Sequence, residues 1–183
     1  MHNHPYGRFD SFYLHVNSRG ERFMNEDTWM QAKSVRIGMQ PEPSWAFAVF
    51  DAKWLDEFGE RFHLLGGQGA MPLGMAINDV EWNPDCGLKE EVQHYIDEGN
   101  GYVCETIEEL AEKMEVPYEN LKKTIDRYNE LCALGDDPDF GKRPELLTTI
   151  EKAPFIAIKM GASLLDVMGG CLTNADLNIL DAD

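Results

Sequence analysis

Val16-Asn17-Ser18-Arg19-Gly20-Glu21-Arg22-Phe23-Met24-Asn25-Glu26 reads as a strand, a tight turn and a second short strand that ends in a polar pair. Asn17-Ser18-Arg19-Gly20 has hairpin-turn chemistry, with Gly at the position that usually needs positive φ. Phe12, Leu14 and Val16 alternate on one face before the turn, and Phe23 follows it. Tyr13 and His15 fall between them, and His15 is expected at the surface.

Downstream, Asp27-Thr28 is expected to cap a helix through Trp29, Ala32, Lys33, Val35 and Arg36, stopped before Pro41 and Pro43. Trp45 to Phe50 is a short apolar run that suits a buried strand, and Asp51 reads as the N-cap of a helix carrying Trp54, Leu55, Phe58 and Phe62. Residues 64–87 are rich in Gly and Pro and read as a long loop. Its Gly66-Gly67-Gln68-Gly69 run lacks GxGxxG spacing, a Walker lysine and a βαβ context, so it does not read as a phosphate cradle.

Leu88 to Gly99 is expected to be helical and Tyr102 to Cys104 extended. Thr106-Ile107-Glu108-Glu109 is a capping box opening a helix to about Met114. After Pro117, the stripe Leu121, Ile125, Tyr128, Leu131 and Cys132 marks a further helix, ended by Gly135. Asp136 to Lys142 reads as a solvated polar turn, since Pro138 and the missing distal Glu spoil a calcium loop. Phe155 to Met160 and Leu177 to Leu180 read as strands. Short mixed strands with clustered helices give an α+β fold class.

The 183 residues suit one well-filled domain. A net charge of −17 disfavours nucleic acid and anionic membrane as partners. No apolar run approaches the ~18 residues of a membrane span, and Met1 to Phe9 has no signal-peptide core. Cys86, Cys104, Cys132 and Cys171 never form a CxxC pair, which argues for free thiols over a zinc site, and no metal is expected.

Together with the opening segment, Glu105 to Ala111, Val116-Pro117 and Thr124 to Asn129 resemble the capping domain of the fumarate reductase/succinate dehydrogenase flavoprotein family. Asp137 to Lys142 is similar to that family's D.DFGK turn, Ala153 to Ile158 to the strand leaving the cap, and Met168-Gly169-Gly170 to its re-entry into the flavin domain. The resemblance implies a division into 1–26, a hairpin joining flavin domain to cap, 27–153, the cap with its loop 64–87, and 154–183, strands returning towards an FAD-binding domain. It implies FAD as cofactor, held mostly outside this chain. It also implies an FAD-binding domain of the same polypeptide and a small-molecule substrate as partners, and oxidoreductase chemistry at a C=C bond. The isolated chain is expected to be inactive.

By the same resemblance Glu26 matches a proton-relay glutamate, although it equally reads as an acceptor of backbone N–H groups at the helix start near Thr28. Trp29 and Met30 stand where the relay arginine is expected, and Leu55 where the proton-donor arginine is expected. Asp166 or Leu165 stands where a substrate-binding histidine is expected. Arg61 and His63 are the replacement proton donors, with Asp166, Met168, Leu55 and Trp29 on the substrate side and Gly169 and Gly170 against the flavin. Arg22 is expected to pair with nearby carboxylates. The lost polar positions point away from fumarate, towards an enoyl, enone or steroid-like acceptor. The alternatives are a free-standing ligand-binding module, or an inactive remnant without flavin chemistry.

Overall fold

The computed structural model describes residues 12–65, 82–85, 87–162, 174 and 176. In chain order these form β1 (Leu14–Asn17), α1 (Met30–Gly38), β2 (Trp45–Asp51), α2 (Trp54–Arg61), α3 (Leu88–Asp97), β3 (Gly101–Cys104), α4 (Ile107–Met114), α5 (Tyr118–Leu134), a 3-10 turn (Pro144–Leu146) and β4 (Phe155–Gly161). Most of the loop expected over 64–87 and the strand expected over Leu177–Leu180 lie outside the described residues.

The uninterrupted apolar run in β2 needs cover on both faces, and the topology supplies it. The described strands make one antiparallel sheet in the order β1-β2-β4-β3. Register puts Ala48 between His15 and Ile158, and Val49 between Leu14 and Ala157. On one face Ala46, Ala48 and Phe50 join Ile156, Ile158 and Met160 beneath Ile37 of α1, Phe58 of α2 and Leu88, Val92 and Tyr95 of α3. On the other, Leu14, Val16, Phe47, Val49 and Ala157 pack with Leu110 and Met114 of α4 and Leu121, Ile125 and Tyr128 of α5. The sheet is therefore a middle layer between two sets of helices.

Local chemistry explains several boundaries. The Thr106 hydroxyl accepts the Glu109 N–H at 3.1 Å as the N-cap of a capping box should, and the Glu109 carboxylate reaches back one residue further, accepting the Glu105 N–H at 3.1 Å. Gly135 stops α5 at φ +70°. In the opening turn Gly20 stands at φ +75° and its N–H donates to the Asn17 carbonyl at 2.9 Å. A Cβ there would also come within 3.0 Å of the Leu121 nitrogen. Gly20→Ala is accordingly expected to lower stability by about 1–3 kcal/mol, read as a fall of several degrees in a thermal melt.

Three local expectations are corrected. The second arm of the hairpin is a single bridge between Val16 and Arg22, because Arg22 onward turns inward to serve charges. Helix α1 begins at Met30, with Trp29 in the cap position and no side-chain cap, since Asp27 is committed to the Arg143 guanidinium. Asp51 does not cap α2. It closes β2, and its buried carboxylate accepts the N–H groups of Lys53, Glu151 and Lys152, each at 2.9 Å, tying β2 to the approach of β4.

Candidate functional site

Glu26 is fully buried, and charge in a protein interior persists only where it is matched. The match begins four residues away. The Arg22 Nε and Nη2 donate to the two Glu26 oxygens at 2.8 Å each, and its Nη1 and Nη2 donate to Asp137 at 3.1 and 2.8 Å. One guanidinium thus bridges two carboxylates, with its carbon 5.0 Å from the Tyr128 ring and 4.8 Å from the Phe140 ring. A cleft of about 350 Å³ lies alongside, lined by Arg22, Asn120, Lys123, Thr124 and Phe140 among others.

The second cation arrives from the turn after α5. Asp137 accepts the backbone N–H groups of Phe140 and Lys142 at 3.2 and 3.0 Å, which curls that turn inward. Fully enclosed, the Lys142 Nζ lies 3.4 Å from Glu26 Oε2 and donates to the Phe12 carbonyl and the Tyr128 hydroxyl. The turn over 136–142 is solvated at Asp136 and over 138–141, as expected, and is corrected at two positions: Asp137 and Lys142 are buried because Arg22 and Glu26 call for their charges.

His15 is likewise corrected, from surface to interior. It is 0% exposed, its backbone N–H donates to Glu26 Oε1 at 3.3 Å, and neither ring nitrogen has a hydrogen-bond partner. Buried polar groups left unmet cost about 1–3 kcal/mol each. The buried Lys33 of α1 adds to the positive field around the ring.

Burial alone would raise the Glu26 carboxyl, but the Lys142 ammonium and the Arg22 guanidinium override it and hold it below the ordinary range. Burial depresses Lys142 despite the Glu26 carboxylate. Burial, followed by the positive field of Lys33, pushes the His15 imidazole down from 6.5 to about 3, so the ring is neutral at ordinary pH. The cluster consists of carboxylates held by donors, with one uncharged ring beside them.

The remaining candidate residues are placed elsewhere. Arg61 donates to the carbonyls of Glu145 and Glu57 and to the Glu60 carboxylate, and His63 is exposed just beyond α2. Leu55 is partly buried against the core, and Trp29 is 63% exposed. The hydrogen bonds to the Glu26 carboxylate come from Arg22 and the His15 backbone, and from none of these four. Asp166, Met168, Gly169 and Gly170 lie outside the described residues. Arg22 pairs with carboxylates as anticipated. His15, Lys33, Asp137 and Lys142 were not singled out as site residues, and the available signal was the Asp-Pro-Asp-Phe-Gly-Lys turn, which delivers both Asp137 and Lys142.

The described residues do not form a dinucleotide cradle. Their sheet is antiparallel, and β2 and β3 pass to α2 and α4 without a glycine-rich turn. Both helices open on acidic pairs, Asp56 with Glu57 and Glu108 with Glu109, which would repel a pyrophosphate.

The chain is 37% identical over 134 residues to the NADH:acrylate oxidoreductase of Vibrio harveyi, covering 72% of this chain and 13% of that protein. It is 25% identical over 170 residues to the vinyl phenol reductase of Lactiplantibacillus plantarum, covering 92% of this chain and 33% of that one. The chain thus spans a third or less of the length of these curated relatives. Its fold matches the open conformation of a flavocytochrome c3 fumarate reductase with a TM-score of 0.63 and 24% identity, over 95% of this chain and 25% of that one. The family model described as FAD binding domain matches residues 8–183, nearly the whole sequence. The chain belongs to the FAD-dependent fumarate reductase family, whose cofactor is FAD.

Proposed function

We propose that this chain is the substrate-capping part of a flavin-dependent reductase, closing over an acceptor C=C bond held against FAD by a separate FAD-binding domain of the same polypeptide. One observation carries the reading. The family match covers residues 8–183, yet the described residues are an antiparallel sheet between helices, without a dinucleotide cradle. A member of a flavin family whose described residues do not cradle the dinucleotide has covering and positioning left to do, as lids have. Within the proposal Glu26 handles the proton, Arg61 and His63 are alternative donors, Trp29, Leu55, Asp166 and Met168 face the substrate, and Gly169 and Gly170 approach the flavin.

The acceptor is proposed to be an activated alkene carrying less charge than fumarate. Trp29 and Leu55 supply no charge where cations are expected, and Asp166 would oppose a dicarboxylate. The vinyl phenol reductase relative acts on a compound of that kind by its name.

Titrating the purified chain with FAD is expected to give no saturable quenching of flavin fluorescence. The full-length flavoprotein is expected to reduce vinyl phenols, enones or acrylate-like monoacids at least about tenfold faster than fumarate. A chain that binds FAD stoichiometrically overturns the capping assignment, and fumarate turnover equal to the best alkene overturns the substrate class.

A further inference from the structure

Helix α1 is patterned in the reverse of the usual sense. It buries Lys33 and Ile37 and leaves Val35 and Met39 62% and 77% exposed. Ala32, Val35, Arg36 and Met39 stand at i, i+3, i+4 and i+7, and Trp29, 63% exposed, lies one turn before them on the same side. The spacing makes one continuous, mostly apolar stripe on the outside of the helix.

Charge points the same way. Each of α2, α3, α4 and α5 carries carboxylates in its first turn, and α1 has none there. From Thr28 to Pro41 there is no Asp or Glu, in a chain that holds 33 of them. Arg36 is the only exposed charge on α1. Aromatic, Met and Arg side chains with acids excluded are the composition of an interface centre. A solvated helix in a chain of net charge −17 would ordinarily carry carboxylates on this side.

Two observations bear on what covers the stripe. The parts of the vinyl phenol reductase and the flavocytochrome that match this chain are 33% and 25% of those proteins, so most of each relative lies outside the match. The chain also leaves the sheet beside this helix. β4 ends at Gly161, and a Cβ placed on Gly38 would stand 3.4 Å from the Ala162 Cβ, with both residues exposed. Polypeptide that follows Ala162 therefore starts next to the stripe, which raises its effective concentration there. A second copy is disfavoured, because each copy brings its own charge of −17.

We propose that the outward stripe of α1, formed by Trp29, Val35, Arg36 and Met39, is the surface on which the FAD-binding domain of the same polypeptide docks. The proposal rests on the reading of this chain as a part separate from that domain. The docking surface is apolar, with a carboxylate or backbone carbonyl to receive the Arg36 guanidinium. Trp29, at one end of the stripe, then stands where the two parts meet.

The test compares the purified chain with the full-length flavoprotein. Amide hydrogen exchange over 33–39 is expected to be about tenfold or more slower in the full-length protein than in the chain. Val35→Glu and Met39→Glu are expected to leave the melting temperature of the chain nearly unchanged, since both positions are exposed there. In the full-length protein the same variants are expected to lower the temperature at which flavin fluorescence is released and to speed FAD loss several-fold.

Equal exchange in the two proteins overturns the proposal, and that readout needs no variant to fold. Variants that destabilise the chain as much as the full-length protein also overturn it, because the side chains would then act within the chain. Sedimentation that shows the chain as a dimer which Val35→Glu dissociates assigns the stripe to a second copy and overturns it as well. Stoichiometric FAD binding by the chain alone instead overturns the reading of a separate FAD-binding domain, so the two failures are distinguishable.

Discussion

Arg22→Met is expected to cost the chain about 3–5 kcal/mol, enough to consume a large part of an ordinary domain's stability. Both carboxylates that it bridges are fully enclosed, and Arg22 itself is 6% exposed at its side chain. Removing the cation leaves Asp137 with backbone N–H groups alone and Glu26 with Lys142 and the His15 backbone N–H. Arg22→Lys is expected to recover only part of the loss, because a point charge cannot hold two carboxylates in fork geometry. The double variant Arg22→Met with Asp137→Asn is expected to be markedly more stable than Arg22→Met, since the uncompensated charge goes while Glu26 keeps Lys142. Urea denaturation with an unchanged m-value measures this. A loss below about 1 kcal/mol in Arg22→Met would mean that solvent reaches the cluster.

The second large effect is on the pH dependence of stability, and two groups oppose one another. His15 is held at about 3 in the folded chain against an ordinary 6.5, by burial and then by Lys33. The unfolded chain therefore takes up a proton from pH 6.5 downward that the folded chain refuses, and stability falls across that window. Acting alone, the effect reaches about 4 kcal/mol near pH 3.

Glu57 runs the other way. Burial raises it to about 7 from 4.5, so the folded chain binds a proton first and stability rises as pH falls from 7 to 4.5. Wild-type stability is accordingly expected to change little between pH 7 and 4.5. Below that it should drop steeply, as the depressed carboxyls Glu26, Asp51 and Asp137 add to His15. Glu57→Gln is expected to unmask the fall from pH 6.5, and adding His15→Phe to remove it again. Thermal melts from pH 7.5 to 3.5 decide this, and a flat upper limb in Glu57→Gln contradicts it.

Features written in short windows were legible in the sequence. The Thr106–Glu109 box, the Gly135 stop, the positive φ at Gly20 and the buried run from Trp45 each follow from chemistry within a few residues. What stayed hidden depends on partners far along the chain. Asp137 carries the composition of a wet turn, and its burial follows only once Arg22, 115 residues earlier, is placed against it. Strand alternation correctly put His15 opposite Leu14 and Val16, but a second layer of helices over that face is a property of the whole topology. At Asp27, a long-range pairing with Arg143 displaced a sound local capping rule.

The strand order bears on how this chain comes off the ribosome. β4 is the last described strand to be made, and it sits between β2 and β3, pairing with both. Until Phe155 to Gly161 has emerged, the nascent polypeptide carries two strands with open sides and no common neighbour, and neither helical layer has a complete platform. Folding is then governed by a late insertion of high contact order, with strand edges exposed until β4 arrives. Ribosome stalling or premature termination before Phe155 is thus the event this topology tolerates least, and chaperone engagement should concentrate in that interval.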